Sequence, residues 1–222
     1  MVDIQKELTP YNYSKISNRD IKYIVVHYVG AVSTAKNNVI YYASRPLQAS
    51  AHYFVDETSI WQCVEDADKA WHCGGGLQGN SGHSLHGICT NANSIGIEMC
   101  VKKTPSGEWY FEEDTIKNTV DLVRHLMKKH NIPIDRVVRH YDVTGKNCPA
   151  PYVNESAWDS FKQLVIKGSV KELVSINDIV WELGNRGIVS DKEGMIDEMN
   201  LNPNGRLYWL ARKAVQYMRE RD

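Results

Sequence analysis

The chain has 222 residues, with 26 Lys and Arg against 27 Asp and Glu for a net charge of −1. That length allows one large domain, or one domain with a small appendage. Balanced charge argues against a nucleic-acid partner, which would leave a basic excess, and no apolar run approaches the length that spans a bilayer. The N-terminus, Met1-Val2-Asp3-Ile4-Gln5-Lys6, has no apolar core like that of a signal peptide. The expectation is a protein made in the cytoplasm, without stable membrane association. The cysteines, Cys63, Cys73, Cys89, Cys100 and Cys148, form no CxxC pair, which argues against a zinc ribbon. Cys63 and Cys100 read as small buried hydrophobes. Cys73 and Cys89 lie in Gly/Asn-rich stretches and read as exposed thiols, with a bridge between them left open.

In chain order, residues 1–20 are polar and turn-rich. Lys22-Tyr23-Ile24-Val25-Val26-His27 is a β-branched run that predicts a strand over 22–28. Residues 33–44 predict a helix capped by Ser33 or Thr34, with Val39, Ile40 and Ala43 inward. Residues 50–56 and 59–64 predict a hairpin about Asp56-Glu57-Thr58, and 66–70 a short helical turn. Residues 74–93, rich in Gly, Ser and Asn and holding His83 and His86, predict a long surface loop. Residues 94–101, apolar on both faces, predict a central strand. A long helix follows from Glu112-Glu113-Asp114 to Lys128-Lys129-His130, stopped by Pro133, with His125 and His130 expected in solvent. A short strand covers 136–138, and Asn154 caps a helix with Ala157, Trp158, Phe161, Leu164 and Val165 on one side. Beyond a linker at 169–174 the pattern changes to three short helices, at 177–183, after a capping box at Ser190-Asp191-Lys192-Glu193, and at 206–219.

The segment from Arg139 to Pro149 carries His140, Lys146 and Cys148 on what reads as a short irregular stretch. Pro149 and Pro151 stop a helix behind it. A His and a Cys eight positions apart share no helix or strand face, but they converge if the chain turns back at Thr144-Gly145. Imidazole and thiolate are ligands that zinc prefers. Two are too few, and His27 is the candidate third. Three ligands with one open position describe a catalytic rather than a structural site.

Val25-Val26-His27, Ala51-His52-Tyr53-Phe54-Val55, Trp71-His72, Asn93-Ser94-Ile95-Gly96-Ile97-Glu98 and Arg139-His140 through Cys148-Pro149 together resemble the amidase-2 type of N-acetylmuramoyl-L-alanine amidases. These include phage endolysins and bacterial autolysins and are related to animal peptidoglycan recognition proteins. The resemblance covers roughly residues 20–165. It implies an α/β fold with a mixed central sheet flanked by helices, and Zn2+ held by His27, His140 and Cys148. It also implies cleavage of the amide between the lactyl group of muramic acid and the L-alanine of the stem peptide, with bacterial peptidoglycan as partner and the cell wall as the place of action. Glu98, in an otherwise apolar strand where an unpaired carboxylate is costly, is the candidate proton-transfer group. Other branches of the family have a tyrosine just before the second-strand histidine; Ala51 stands there in this chain, which favours Glu98. Lys146 is the candidate oxyanion stabiliser; the plainer reading is a solvated loop lysine. His72, Trp71 and Asn93 are candidates for contact with glycan or peptide, with packing the safer reading for Trp71. His52 is read as structural or functional with equal weight.

The resulting domain division is a zinc amidase domain over 1–168 and a small all-α module over 175–222. The module has an expected role in cell-wall binding or homo-oligomerisation, with Trp181, Tyr208, Trp209 and Tyr217 as its aromatic residues. Two other readings remain: a peptidoglycan-binding protein of the same fold without activity, and a cysteine hydrolase with Cys148 as nucleophile and His140 as base. Pro149 after the cysteine, and the lack of a helix start to lower its pKa, weigh against the latter.

Overall fold

Among the described residues the strands are β1 (Gln5–Lys6), β2 (Tyr23–Tyr28), β3 (Tyr53–Val55), β4 (Ile60–Gln62), β5 (Ser94–Met99), β6 (Lys102–Lys103), β7 (Trp109–Tyr110) and β8 (Val137–Arg139). Six of them form one sheet in the order β1-β4-β3-β5-β2-β8 in a computed structural model. It describes residues 3–167, 180, 183–185 and 187–201, the last four of these by backbone alone. The sheet is mixed: β3 and β4 pair antiparallel as the expected hairpin, while β3, β5, β2 and β8 run parallel. β6 and β7, not expected from the sequence, form a separate two-stranded ribbon.

The helices are α1 (Ala35–Ser44), α2 (Glu113–His130), α3 (His140–Thr144), α4 (Glu155–Lys167) and α5 (Lys192–Leu201). The chain leaves β2 through α1 to reach β3, crossing β5 in one direction, and leaves β5 through α2 to reach β8, crossing β2 in the other. Parallel crossovers are right-handed, so the two helices cover opposite faces. Ile24, Val26, Ile95 and Ile97 accordingly pack with Val120, Leu122, Val123 and Leu126 of α2 and with Trp158, Phe161 and Val165 of α4. On the other face, Ala35 and Val39 of α1 pack with Phe54, Cys63 and Cys100. The connections from β2 and β5 depart in opposite directions. That leaves a crevice at the carboxyl ends of these adjacent strands, the place where open α/β sheets bind ligands.

Local chemistry sets the boundaries. Thr34 caps α1, its side chain accepting from Asn37 N. Asn131, at φ 53°, ends α2. Asn154 Oδ1 accepts from Ser156 N and Ala157 N at the start of α4. Asp191, rather than Ser190, caps α5 by accepting from Gly194 N at 2.9 Å.

Several expectations need correction. Ile40 and Leu164 are exposed, because the buried stripe of α1 runs through Ala35, Asn38 and Val39 and that of α4 through Trp158, Phe161 and Val165. Residues 66–70 form a turn joined to the N-terminal segment by a Ser14–Lys69 bridge. Cys73 and Cys89 are buried thiols packed with Val25, Val138 and Val143. His130 is not solvated: it and Lys129 reach Asp66 Oδ2, at 2.8 and 2.7 Å.

By its contacts the chain divides into two compact units, Met1–Gly168 and Ser169–Asp222. Of the three C-terminal helices expected, the second is α5; the third, with Tyr208, Trp209 and Tyr217, lies outside the described residues, as does Trp181. Among the described residues no helix is long and apolar enough to cross a membrane.

Candidate active site

His27 is the fifth residue of β2, and the parallel register sets it beside Glu98 of β5. β8 runs along the other side of β2 and ends at Arg139, so His140 starts α3 at the same end of the sheet. The segment expected to be irregular is thus a short helix that turns back. Gly145, at φ 77°, closes α3 with its N–H on Tyr141 O, and a Cβ there would lie 2.0 Å from Gln78 O. Only glycine fits so tight a left-handed position. The returning chain brings Cys148 back beside His140, with Tyr141 N donating to Cys148 O at 2.8 Å.

The donor atoms of His27, His140 and Cys148 all lie within 4.8 Å of one another, and all three residues are buried. His27 Nδ1 is 3.7 Å from Cys148 Sγ. Both ring nitrogens of His140, and Glu98 Oε2, are buried without a hydrogen-bond partner. Buried polar atoms are almost always satisfied. Two imidazoles and a thiol with idle lone pairs facing one point are a donor set that fits a divalent cation of borderline softness.

The electrostatics point the same way. Burial, then the neighbouring His140, His72 and Lys146, hold His27 well below the usual imidazole range. Burial and Lys146 bring His140 down to about 4. Both imidazoles are therefore neutral, the form that coordinates. Burial pushes the Glu98 carboxyl up to about 8, against the opposing pull of Lys146. Burial and Glu98 push the Cys148 thiol up to about 12, although the Tyr28 backbone N–H donates to its sulfur. Lys146 itself is exposed at the rim, and its charge is felt at His27, His140, Glu98 and Cys148.

Other residues singled out in the sequence sit further back. His72 is buried rather than facing a groove; its Nδ1 is 3.0 Å from His27 Nε2 and its Nε2 faces Ser94 O. His52 is fully buried, with Nδ1 accepting from Gly96 N and Nε2 facing Asp68 O. Trp71 Nε1 donates to Ser14 Oγ. Asn93 closes its own loop, accepting from Thr90 N and donating to Ile88 O.

Two arginines carry structure that sequence reasoning missed. Arg19 donates to the carbonyls of Asp66, Asp68, Asn91, Ala92 and Ser94, tying the turn after β4 to the loop before β5. Arg139, nearly fully buried, binds Asp142 and Glu155 and the carbonyls of Tyr152 and Val153, clamping α3 to the start of α4. The second had a signal, an Arg and an Asp three apart flanking the histidine; the first, a lone arginine in a polar segment, had none.

The family model described as N-acetylmuramoyl-L-alanine amidase matches residues 17–151, more than half of the chain and all of this site. The amidase BlyA of Bacillus subtilis (strain 168) is 36% identical over 154 residues, covering 66% of this chain and 41% of BlyA. The solved structure of PlyL is similar at 30% identity with a TM-score of 0.57, over 73% of this chain and 96% of PlyL. The catalytic domain of XlyA is similar at 28% identity and a TM-score of 0.59, over 74% and 99%. The chain spans less than half the length of the first curated relatives it matches, and nearly the whole of the two solved structures. With the match spanning β2 through Cys148, the chain belongs to the amidase-2 family of N-acetylmuramoyl-L-alanine amidases.

Proposed function

We propose that the chain is a zinc-dependent hydrolase of bacterial peptidoglycan, cutting the amide between N-acetylmuramic acid and L-alanine. The observation that carries this reading is the convergence of His27, His140 and Cys148 within 4.8 Å, beside a buried Glu98 oxygen with no partner. An amide is a poor electrophile with a poor leaving group, so the site must polarise the carbonyl, activate water and protonate the departing nitrogen. His27, His140 and Cys148 hold the ion. When bound, zinc polarises the carbonyl and lowers the pKa of a coordinated water to about 7. Glu98 Oε2 takes the proton from the attacking water and returns it to the leaving nitrogen, a role open to a buried carboxyl oxygen with no hydrogen-bond partner. Lys146, at the rim, offsets negative charge developing on the former carbonyl oxygen.

The cysteine-hydrolase reading is disfavoured by Cys148 itself: a thiol pushed up to about 12 is a poor nucleophile at neutral pH. The inactive binding-module reading is disfavoured by the complete ligand set.

The test is zinc content together with release of L-alanine amino termini from purified cell walls, before and after chelation. One zinc per chain, with release that stops on chelation and returns with zinc, supports the proposal. Release that survives complete metal removal overturns it and brings Cys148 forward as nucleophile.

A further inference from the structure

The direction of the hydrogen bonds behind His27 is fixed by atoms that can act in only one sense. Ser94 Oγ lies 2.6 Å from Thr90 O. A carbonyl only accepts, so the hydroxyl proton points there. Toward His72 Nε2, at 3.3 Å, Ser94 Oγ is therefore an acceptor, and so is Ser94 O at 3.4 Å. Nε2 of His72 must carry the ring proton, which leaves Nδ1 with a lone pair. That lone pair faces His27 Nε2 at 3.0 Å, so His27 Nε2 must donate. The opposite nitrogen of His27, Nδ1, is left bare, and it is the one that faces Cys148 Sγ.

The seat of His72 is built around this orientation. Gly96 of β5 lies against its ring: a Cβ there would come within 2.4 Å of Cγ and 2.7 Å of Nδ1, so any other residue would expel the imidazole. Asn91 Oδ1 accepts from the backbone N–H groups of His72 and Cys73, at 2.9 and 2.8 Å, fixing the chain that delivers the ring.

We propose that His72 is a positioning residue: from its glycine slot it locks His27 in the tautomer with a bare Nδ1 and aims that nitrogen at the metal. The inference rests on the zinc reading given above. Partners of this kind orient a ligand and raise its basicity, and their loss typically costs roughly 10–100-fold in metal affinity.

The experiment compares zinc affinity, by competition with a chromophoric chelator, for the full chain and for His72→Phe and His72→Asn. Phenylalanine keeps the ring shape and loses the acceptor; the asparagine oxygen falls near the place of Nδ1. The expected result is one zinc in the wild type, affinity lower by roughly 10–100-fold in His72→Phe, and substantial recovery in His72→Asn. In parallel, 15N spectra of the zinc-loaded wild type should show His27 metallated at Nδ1 and protonated at Nε2. That readout stands even if the phenylalanine variant does not fold. Wild-type affinity in a folded His72→Phe, equal losses in both variants, or zinc on Nε2 of His27 each overturn the inference while leaving the zinc site intact. A wild type that binds no zinc overturns the underlying reading instead.

Discussion

Glu98 is where residue identity and environment diverge most, and it gives the sharpest prediction. Its carboxyl sits in an apolar strand with Oε2 unpartnered, and burial pushes it up to about 8. Glu98→Gln keeps shape and removes the proton carrier. The variant is expected to keep its zinc and lose roughly 10²–10⁴-fold in amide release; a variant as active as wild type would remove Glu98 from the chemistry. Asp66 is the structural counterpart. Burial alone would raise its pKa, but hydrogen bonds from Lys129, Tyr53 and His130 outweigh that and bring it to about 2. A depressed carboxylate contributes stability that is fully present above its unfolded pKa of roughly 3.9 and is lost as pH falls through the folded value. The shift corresponds to about 2–3 kcal/mol. Urea titrations of wild type and Asp66→Asn should therefore differ by about that amount at pH 6.5 and converge as pH approaches 2. A difference independent of pH would assign the effect to packing. Residue types drew attention to Glu98 and to the proposed ligands His27, His140 and Cys148 in the sequence, because a carboxylate amid isoleucines, or a His and a Cys about a tight turn, needs a reason. The contact of His72 with His27 was not legible, because a histidine after a tryptophan does not reveal whether it faces solvent or the back of another ring.

At the scale of elements, legibility followed length and periodicity. β2, β5 and α2 were readable because each carries its own pattern: a β-branched run, an apolar strand and an amphipathic helix with charged ends. α3 was not, because five residues ending in Val143 and Thr144 have no helical period or propensity to detect. Tertiary hydrogen bonds hold it instead: Gln78 N to Thr144 O, His83 N to Tyr141 O and Leu85 N to Asp142 O, with Arg139 beneath. The β6–β7 ribbon, two residues a side, was lost for the same reason. This dependence predicts an asymmetry between two glycines of similar backbone conformation. Gly107, at φ 91°, has open space where a Cβ would go, whereas at Gly145, φ 77°, the backbone oxygens of Gln78 and Ser81 occupy it. Gly107→Ala should cost about 1–2 kcal/mol, the penalty of a left-handed residue alone. Gly145→Ala should cost clearly more and also weaken zinc binding, because it displaces the chain between His140 and Cys148. Equal urea midpoints for the two variants would mean that the loop over α3 yields freely and does not brace the site.

For the whole molecule, the question is what the second unit adds. Every donor of the proposed site, and every strand that carries one, falls within Met1–Gly168. The core under that site is closed by α2 and α4, so the first unit has its own hydrophobic interior. Among its described residues the unit Ser169–Asp222 contributes no ligand and no sheet residue, and some fifty residues are few for an independent core. An insoluble polymer favours enzymes with a second attachment point, because once one contact forms the next is intramolecular. We therefore propose that this unit holds the enzyme on the wall or to another copy of itself. A chain ending at Gly168 should fold, bind one zinc and release L-alanine termini from small soluble wall fragments at the rate of the full chain. On intact walls it should sediment less and work more slowly at low enzyme concentration, where residence on the polymer limits turnover. Light scattering separates the two routes: a full chain that is dimeric, with a truncated chain that is monomeric, assigns the loss of wall binding to lost avidity. Monomers in both cases assign it to direct contact with the wall. If the truncated chain sediments with walls and self-associates as well as the full chain does, the second unit has neither role.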